Sequence, residues 1–251
     1  MTDEPARPTM RVDGGGALDP EKVVRFTFDG IDMAGLEGDT VASALLANGV
    51  HVVGRSFKYH RPRGILTAGA EEPNALVTTK RGAGRSEPNT RATMQEIYEG
   101  LEVLSQNRWP SLNFDVGAVN DRLSPVFGAG FYYKTFMWPK SFWRSVYEPV
   151  IRRAAGLGSA PTLPDPDHYT SRYHHADVLI VGAGPAGIAA ALSAAHAGAD
   201  VLLVEEGPAL GGSLSITPAA TINGSSAGAF VAAQADELSA VFFFIDELEV
   251  L

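Results

Sequence analysis

Residues Asp177 to Gly212, DVLIVGAGPAGIAAALSAAHAGADVLLVEEGPALGG, hold the residue types and spacings with the most specific chemistry in the chain. Gly182, Ala183, Gly184, Pro185, Ala186 and Gly187 form a GxGxxG turn directly after the β-branched apolar run Asp177 to Val181. Such a turn offers backbone N–H groups and a helix N-terminus to a pyrophosphate. Gly182 permits the tight turn, Gly184 keeps a Cβ out of the anion's path, and Gly187 lets the helix pack closely on the strand. Glu205 closes a second apolar run, Val201 to Val204, 23 residues after Gly182, where a carboxylate can accept hydrogen bonds from ribose hydroxyls. Glu206 and the Gly211-Gly212 pair complete the candidate cofactor-binding set. A 2′-phosphate would be repelled by Glu205, so the site is expected to take NAD or FAD rather than NADP. No base, nucleophile or metal-ligand set accompanies the turn, so no catalytic residue is assigned and no metal is expected.

The elements that must position this turn are a strand, a helix and a second strand, the order of a Rossmann-type βαβ unit. That unit is expected to occupy residues 175–251. After Gly212 the pattern predicts a helix from about Ser226 to Ala240 and a strand over VFFFIDELEVL, residues 241–251. A nucleotide fold uses more parallel strands than these, so the unit reads as incomplete and the chain as a fragment or truncated product of something longer.

Upstream, residues 1–20 are Pro/Gly-rich and acidic and are expected to be a mobile arm. VVRFTFDGIDMAGLEGD alternates apolar and polar residues around Asp29-Gly30, a dipeptide suited to a two-residue hairpin turn. Asp39 or Thr40 can cap the following helical run VASALLANG, and Gly49 can end it. Hairpin, helix and long loop predict a ferredoxin-like β-grasp domain over residues 21–100. Laid on the spacing C-x4-C-x2-C of plant-type ferredoxins, the ligand positions fall on Thr67, Glu72 and Ala75, with the fourth on Thr93. The chain contains no cysteine. The expected fold class is therefore α+β then α/β: a cysteine-free ferredoxin-like (β-grasp) domain without an iron-sulfur cluster, followed by the incomplete dinucleotide-binding unit.

With 251 residues and 45% hydrophobic composition, the chain can bury the core of one or two domains. Its net charge of −9 argues against nucleic-acid binding. Residues 51–63, HVVGRSFKYHRPR, are the exception, with four Arg or Lys and no acid. They read either as a solvated basic loop or as a docking surface for phosphate or an acidic partner. Residues 101–155 are aromatic-rich and broken by Pro and Gly, which favours an interface or connecting region; Asn120, Asp121, Lys134 and Trp138 are its notable polar or amphipathic groups. A Pro/Gly/Ala linker is expected over residues 156–174. MTDEPARPTM has no signal-peptide pattern and no apolar run reaches membrane-spanning length, so a cytoplasmic protein without membrane contact is expected.

Several longer strings are more specific than the glycine turn: SALLANGVHVVGRSFKYHRPRGI, GAEEPNALV, SQNRWPSL, DVGAVND, GFYYKTFMWP and HHADVLIVGAGPAG. Through them the chain resembles the α subunit of heterotetrameric sarcosine oxidase, from about Arg25 to Gly212. The resemblance implies oxidation of sarcosine to glycine, with the one-carbon unit passed to tetrahydrofolate or released as formaldehyde, and hydrogen peroxide formed from O₂. It also implies NAD on this chain, with Gly182, Gly184, Gly187 and Glu205 as contacts. FAD and covalent FMN would lie chiefly on the partner, and β, γ and δ subunits would be the partners. Alone, the chain is expected to be inactive. Two other readings stand beside it: the α component of a related FAD-dependent amine, opine or proline dehydrogenase, and a non-catalytic assembly subunit.

Overall fold

In the computed structural model the chain divides into two compact units, Met1–Asp167 and His168–Leu251. The structure describes residues 10–12, 18–82, 84–125, 138–154, 161, 163–164, 168, 171, 173–205, 207, 209–217 and 219–241.

The first unit starts with the hairpin β1 (Val23–Phe28) and β2 (Ile31–Leu36). Asp29 and Gly30 join them at φ 50° and 79°. Two positive φ values in succession make the turn whose twist matches that of the strands. Helix α1 (Val41–Ala47) begins where the Thr40 side chain accepts the Ser43 N–H, and it buries Val41, Ala42, Ala44, Leu45 and Ala47. A short ribbon, β3 (Gly54–Arg55) with β4 (Pro62–Arg63), follows. Then come β5 (Leu76–Arg81), β6 (Arg85–Arg91) and β7 (Leu101–Ser105). The main sheet runs β2-β1-β7-β5-β6, with β7 parallel to β1 and every other pairing antiparallel. Phe26, Phe28, Leu45, Val53, Val77, Leu101 and Val103 form the core between sheet and helix. β7 sits at the middle of the sheet, so the folded domain runs past residue 100, where the aromatic composition of the next stretch had suggested a boundary. Within the segment expected to be a mobile arm, the Met10 N–H donates to Ala47 O at 2.9 Å, and Arg11 pairs with the buried Asp39.

Beyond β7 lie the short helix α2 (Val119–Arg122) and a π-turn, Trp143–Tyr147, leading into α3 (Glu148–Ala154). Phe127, Lys134 and the rest of residues 126–137 fall outside the described residues.

The second unit holds β8 (Val178–Val181), α4 (Pro185–His196), β9 (Val201–Val204), the ribbon β10 (Thr221–Ile222) with β11 (Ser225–Ser226), and α5 (Ala227–Val241). β8 and β9 pair in parallel. Ile188, Ala191 and Leu192 of α4, Val201 and Leu203 of β9, and Leu238 of α5 close a small core around Ala183. Leu179 and Val181 of β8 remain 60% and 80% exposed, so this sheet buries one face well and the other poorly. The helix expected at 226–240 is α5. Of the strand expected over residues 241–251, Val241 instead ends α5, and residues 242–251 lie outside the described residues, as does Glu206.

Candidate functional site

The glycine turn joins β8 to α4. Gly182 takes φ 96°, and its N–H donates to Val204 O at 2.7 Å, which fastens the turn to the end of β9. Gly184 is the residue before the first turn of α4, with Pro185 at the first helical position, where no N–H is needed. A Cβ on Gly184 would meet no atom within 4 Å, whereas one on Gly187 would sit 1.9 Å from Gly182 O. The two glycines therefore serve different ends. Gly187 is needed for the close strand–helix approach, and Gly184 leaves open space at the helix N-terminus, a cradle that a side chain would fill.

Gly211 and Gly212 lie against this turn. The Gly211 N–H donates to Ala183 O at 2.9 Å, and a Cβ on Gly212 would come within 3.0 Å of Gly184 Cα. Both have positive φ, 114° and 51°. Ala183 is buried beneath the turn. Glu205, expected to face a ribose, binds backbone: its Oε2 accepts the Ala183 N–H at 2.5 Å and its Oε1 the Gly207 N–H at 2.9 Å. It thus ties the glycine turn to the chain after β9. The structure brings Gly182, Gly184, Gly187, Glu205, Gly211 and Gly212 together at one end of the parallel pair, where open α/β sheets bind ligands.

In the first unit, the segment laid on the ferredoxin ligand spacing is organised by Glu72. Its side chain is buried, with 2% of its surface exposed. Oε2 accepts the N–H groups of Leu66 (2.8 Å) and Thr67 (2.7 Å), and Oε1 those of Asn74 (2.8 Å) and Ala75 (3.1 Å). Burial pushes this carboxyl up, but the four backbone N–H donors outweigh burial and hold it below its ordinary value. The Thr93 hydroxyl donates to Gly69 O at 2.8 Å, closing the same segment. Nothing in the sequence marked Glu72 as a hub, because its partners are backbone amides that only the folded loop brings together.

In the basic stretch 51–63, Arg55, His60 and Arg61 face acids that lie outside it. Asp115 Oδ2 lies 2.7 Å from His60 Nδ1 and 3.7 Å from Arg55 Nε, while Oδ1 accepts the Trp109 N–H at 2.8 Å. Arg61 binds Asp121 at 2.6 Å, which gives one of the residues singled out in the aromatic region a structural role. Asn120 reaches Lys58 O at 3.4 Å. Trp109, Phe114 and Trp138 are 67%, 69% and 83% exposed. Among the described residues no cluster of His, Cys, Asp and Glu could hold a metal, and no helix is long and apolar enough to cross a membrane.

The sequence is similar over most of its length to part of several known proteins. Over 230 residues, 92% of this chain, the sequence is 64% identical to the sarcosine oxidase subunit alpha of Rhizobium meliloti. The chain is a homologue of sarcosine oxidase alpha subunits. A second such subunit, from Corynebacterium sp. strain P-1, is 37% identical over 93% of the chain. The chain spans 23% and 19% of the lengths of these homologues. Residues 21–108 match the family model of a 2Fe-2S iron-sulfur cluster binding domain, and residues 177–242 that of an FAD dependent oxidoreductase. Among solved structures, L-proline dehydrogenase from P. horikoshii aligns with 95% of this chain and 34% of its own, at 20% identity and a TM-score of 0.47.

These matches correct two expectations. The expected fold class of a cysteine-free ferredoxin-like (β-grasp) domain without a cluster gives way to a match of residues 21–108 to the model of a 2Fe-2S iron-sulfur cluster binding domain. In the expected cofactor set, the absence of an iron-sulfur cluster is overturned by the same match, and residues 177–242 match FAD dependent oxidoreductases where NAD was expected. The expectation of no cluster weighed the thiol count alone, whereas a family match is carried by the whole pattern of core and turn positions. The side chains at the four ligand positions are a separate matter. The chain has no cysteine, Glu72 is engaged with four backbone amides, and Thr93 with Gly69. Those side chains do not fit a cluster, so no step is derived through one.

Proposed function

We propose that this chain acts in a multi-subunit flavoprotein amine oxidase of the sarcosine oxidase type, and that its second unit binds the ADP half of FAD. The observation that carries the reading is the glycine turn, closed around Gly187 and open over Gly184, at the N-terminus of α4. The pyrophosphate would lie against the Gly184 backbone and the helix N-terminus, held by N–H groups and the helix dipole. The ribose would lie beside Glu205, which is already fixed by Ala183 and Gly207. The family model over residues 177–242 favours FAD.

When bound, the flavin would accept two electrons from the C–H and N of the amine. In the full reaction, sarcosine, water and O₂ would give glycine, formaldehyde and hydrogen peroxide, or the one-carbon unit would pass to tetrahydrofolate. The names of the homologues, as alpha subunits, favour a complex with other subunits; in this reading they are β, γ and δ subunits of a cytoplasmic heterotetramer. Exposed Trp109, Phe114 and Trp138 favour contact with such subunits on the first unit and sustain the reading of an assembly role for that part of the chain.

Flavin-fluorescence titration of the purified chain tests the site. FAD is expected to bind saturably, FMN to bind at least about tenfold more weakly because it lacks the ADP half, and Gly184→Val to abolish FAD binding. Equal affinities for FAD and FMN, or saturation by NAD⁺ alone, would overturn the assignment. Co-purification with the companion subunits, followed by assay for sarcosine-dependent hydrogen peroxide, tests the wider reading.

A further inference from the structure

A second cavity, in the first unit, lies between the β3–β4 ribbon, the Pro73-Asn74 segment and the Gln106-Asn107 turn, with a volume of about 230 Å³. Two arginines line it, and they differ in what they have left to give. Arg55 is committed: Nε and Nη2 donate to Leu112 O at 3.0 and 2.8 Å, and Nη1 to His60 O at 2.7 Å. Arg63 spends only Nη1, on Asn74 Oδ1 at 2.6 Å, and its other N–H groups have no partner among the described residues. Asn74 is itself held by Glu72, so the guanidinium is aimed by a fixed wall.

Two carboxamides that also line the cleft, those of Gln106 and Asn107, are spent on their nitrogen side. Gln106 Nε2 donates to Val77 O and Thr78 Oγ1 at 3.1 and 3.0 Å, and Asn107 Nδ2 to Arg55 O at 3.0 Å. What each has left is a carbonyl oxygen, an acceptor without a donor among the described residues. Phe57, 56% exposed, and Leu76 supply apolar surface at the same cleft.

We propose that this cleft binds a small α-amino acid with an apolar side chain. Its carboxylate would lie on the unused face of Arg63, its ammonium would donate to the Gln106 and Asn107 oxygens, and its side chain would lie on Phe57. A guanidinium fork suits a carboxylate, and the paired neutral oxygens suit an N–H donor. No acidic residue lines the cleft. Selection is therefore dominated by the carboxylate, with the ammonium adding to it. The volume is below that of cavities that enclose drug-sized ligands, roughly 300 Å³ and above, which restricts the occupant to a single small molecule. The inference is independent of the dinucleotide site, since every group it uses belongs to the first unit.

The test is an NMR titration of the 251-residue chain with three probes of one carbon skeleton: L-leucine, 4-methylpentanoate, which lacks the ammonium, and 3-methylbutylamine, which lacks the carboxylate. L-leucine is expected to shift the amides of Arg63, Asn74 and Asn107 saturably. 4-Methylpentanoate should bind at least about fivefold more weakly, and 3-methylbutylamine should leave these amides unmoved. Arg63→Gln, at an exposed position, should retain the melting temperature and lose at least about tenfold in leucine affinity, while Phe57→Ser should lose less. FAD titration should be unchanged in both variants. The proposal is overturned if leucine gives no saturable shift at about 20 mM, if 4-methylpentanoate binds as tightly as leucine, or if Arg63→Gln binds leucine as the parent does.

Discussion

Gly184 and Gly187 stand three residues apart in one turn, and substitution should separate their roles. A Cβ on Gly187 would collide with Gly182 O at 1.9 Å, a backbone atom that cannot step aside without opening the turn. Gly187→Ala is expected to destabilise the second unit by about 3 kcal/mol, read as a lower urea midpoint. Gly184→Ala meets nothing within 4 Å and takes an ordinary φ of −69°, so stability should stay within about 0.5 kcal/mol while FAD affinity falls at least tenfold. Parallel losses of stability in both variants would refute the division of labour. Glu72 makes a different prediction. Its folded-state pKa lies below the ordinary 4.5, so its stabilising contribution is complete at neutral pH and is lost as pH falls through the lowered value. Glu72→Ala leaves four backbone donors without their acceptor and should cost about 3 kcal/mol at pH 7. The difference between parent and variant should shrink in acid. A constant difference from pH 7 down to pH 3 would show that the carboxylate charge does not carry it.

At the scale of elements, the second unit depends on how α5 closes it. Leu238 is fully buried and is the residue of α5 in the core cluster with Ile188, Leu192 and Leu203. Leu238→Ala should cost about 3 kcal/mol and loosen α4 as well as α5, because the cavity borders both helices. Hydrogen exchange at Ile188 to Leu192 reads this, and unchanged protection there would place α5 outside the unit's cooperative core. Glu205 links elements too, joining the end of β9 to the turn after β8. In the first unit, β7 connects the two hairpins by pairing with β1 on one side and β5 on the other, with Leu101 and Val103 buried beneath it.

Across the whole molecule, the two units differ in how well they cover their sheets. Among the described residues, the first has a five-stranded sheet with a core cluster of thirteen buried residues, and the second a two-stranded parallel pair with a cluster of seven. Val181 and Leu179 remain largely exposed on β8, and Val204 is 40% exposed on β9. Amides of Phe26, Val77 and Val103 are therefore expected to exchange most slowly, and those of Val178 to Val181 markedly faster. Addition of FAD should slow exchange around Gly182 to Ile188 with little change in the first unit. Equal protection of both sheets in the unliganded chain would contradict this ranking.

The sequence by itself determined the local features, because their causes are local. Asp29-Gly30 made a hairpin turn through backbone conformation, Thr40 a helix start through its own hydroxyl, and the spacing from Gly182 to Glu205 a strand, turn, helix and strand. The long motif strings carried the resemblance to sarcosine oxidase alpha subunits for the same reason. Tertiary structure decided what depends on residues distant along the chain: the place of β7 between β1 and β5, the pairing of the basic stretch with Asp115 and Asp121, and the lean of Gly211-Gly212 on Gly184. It also decided the use of Glu72 and Glu205, whose carboxylates accept backbone N–H groups. A carboxylate's partner is set by which donors the fold brings within about 3 Å, and composition and periodicity hold no record of that distance.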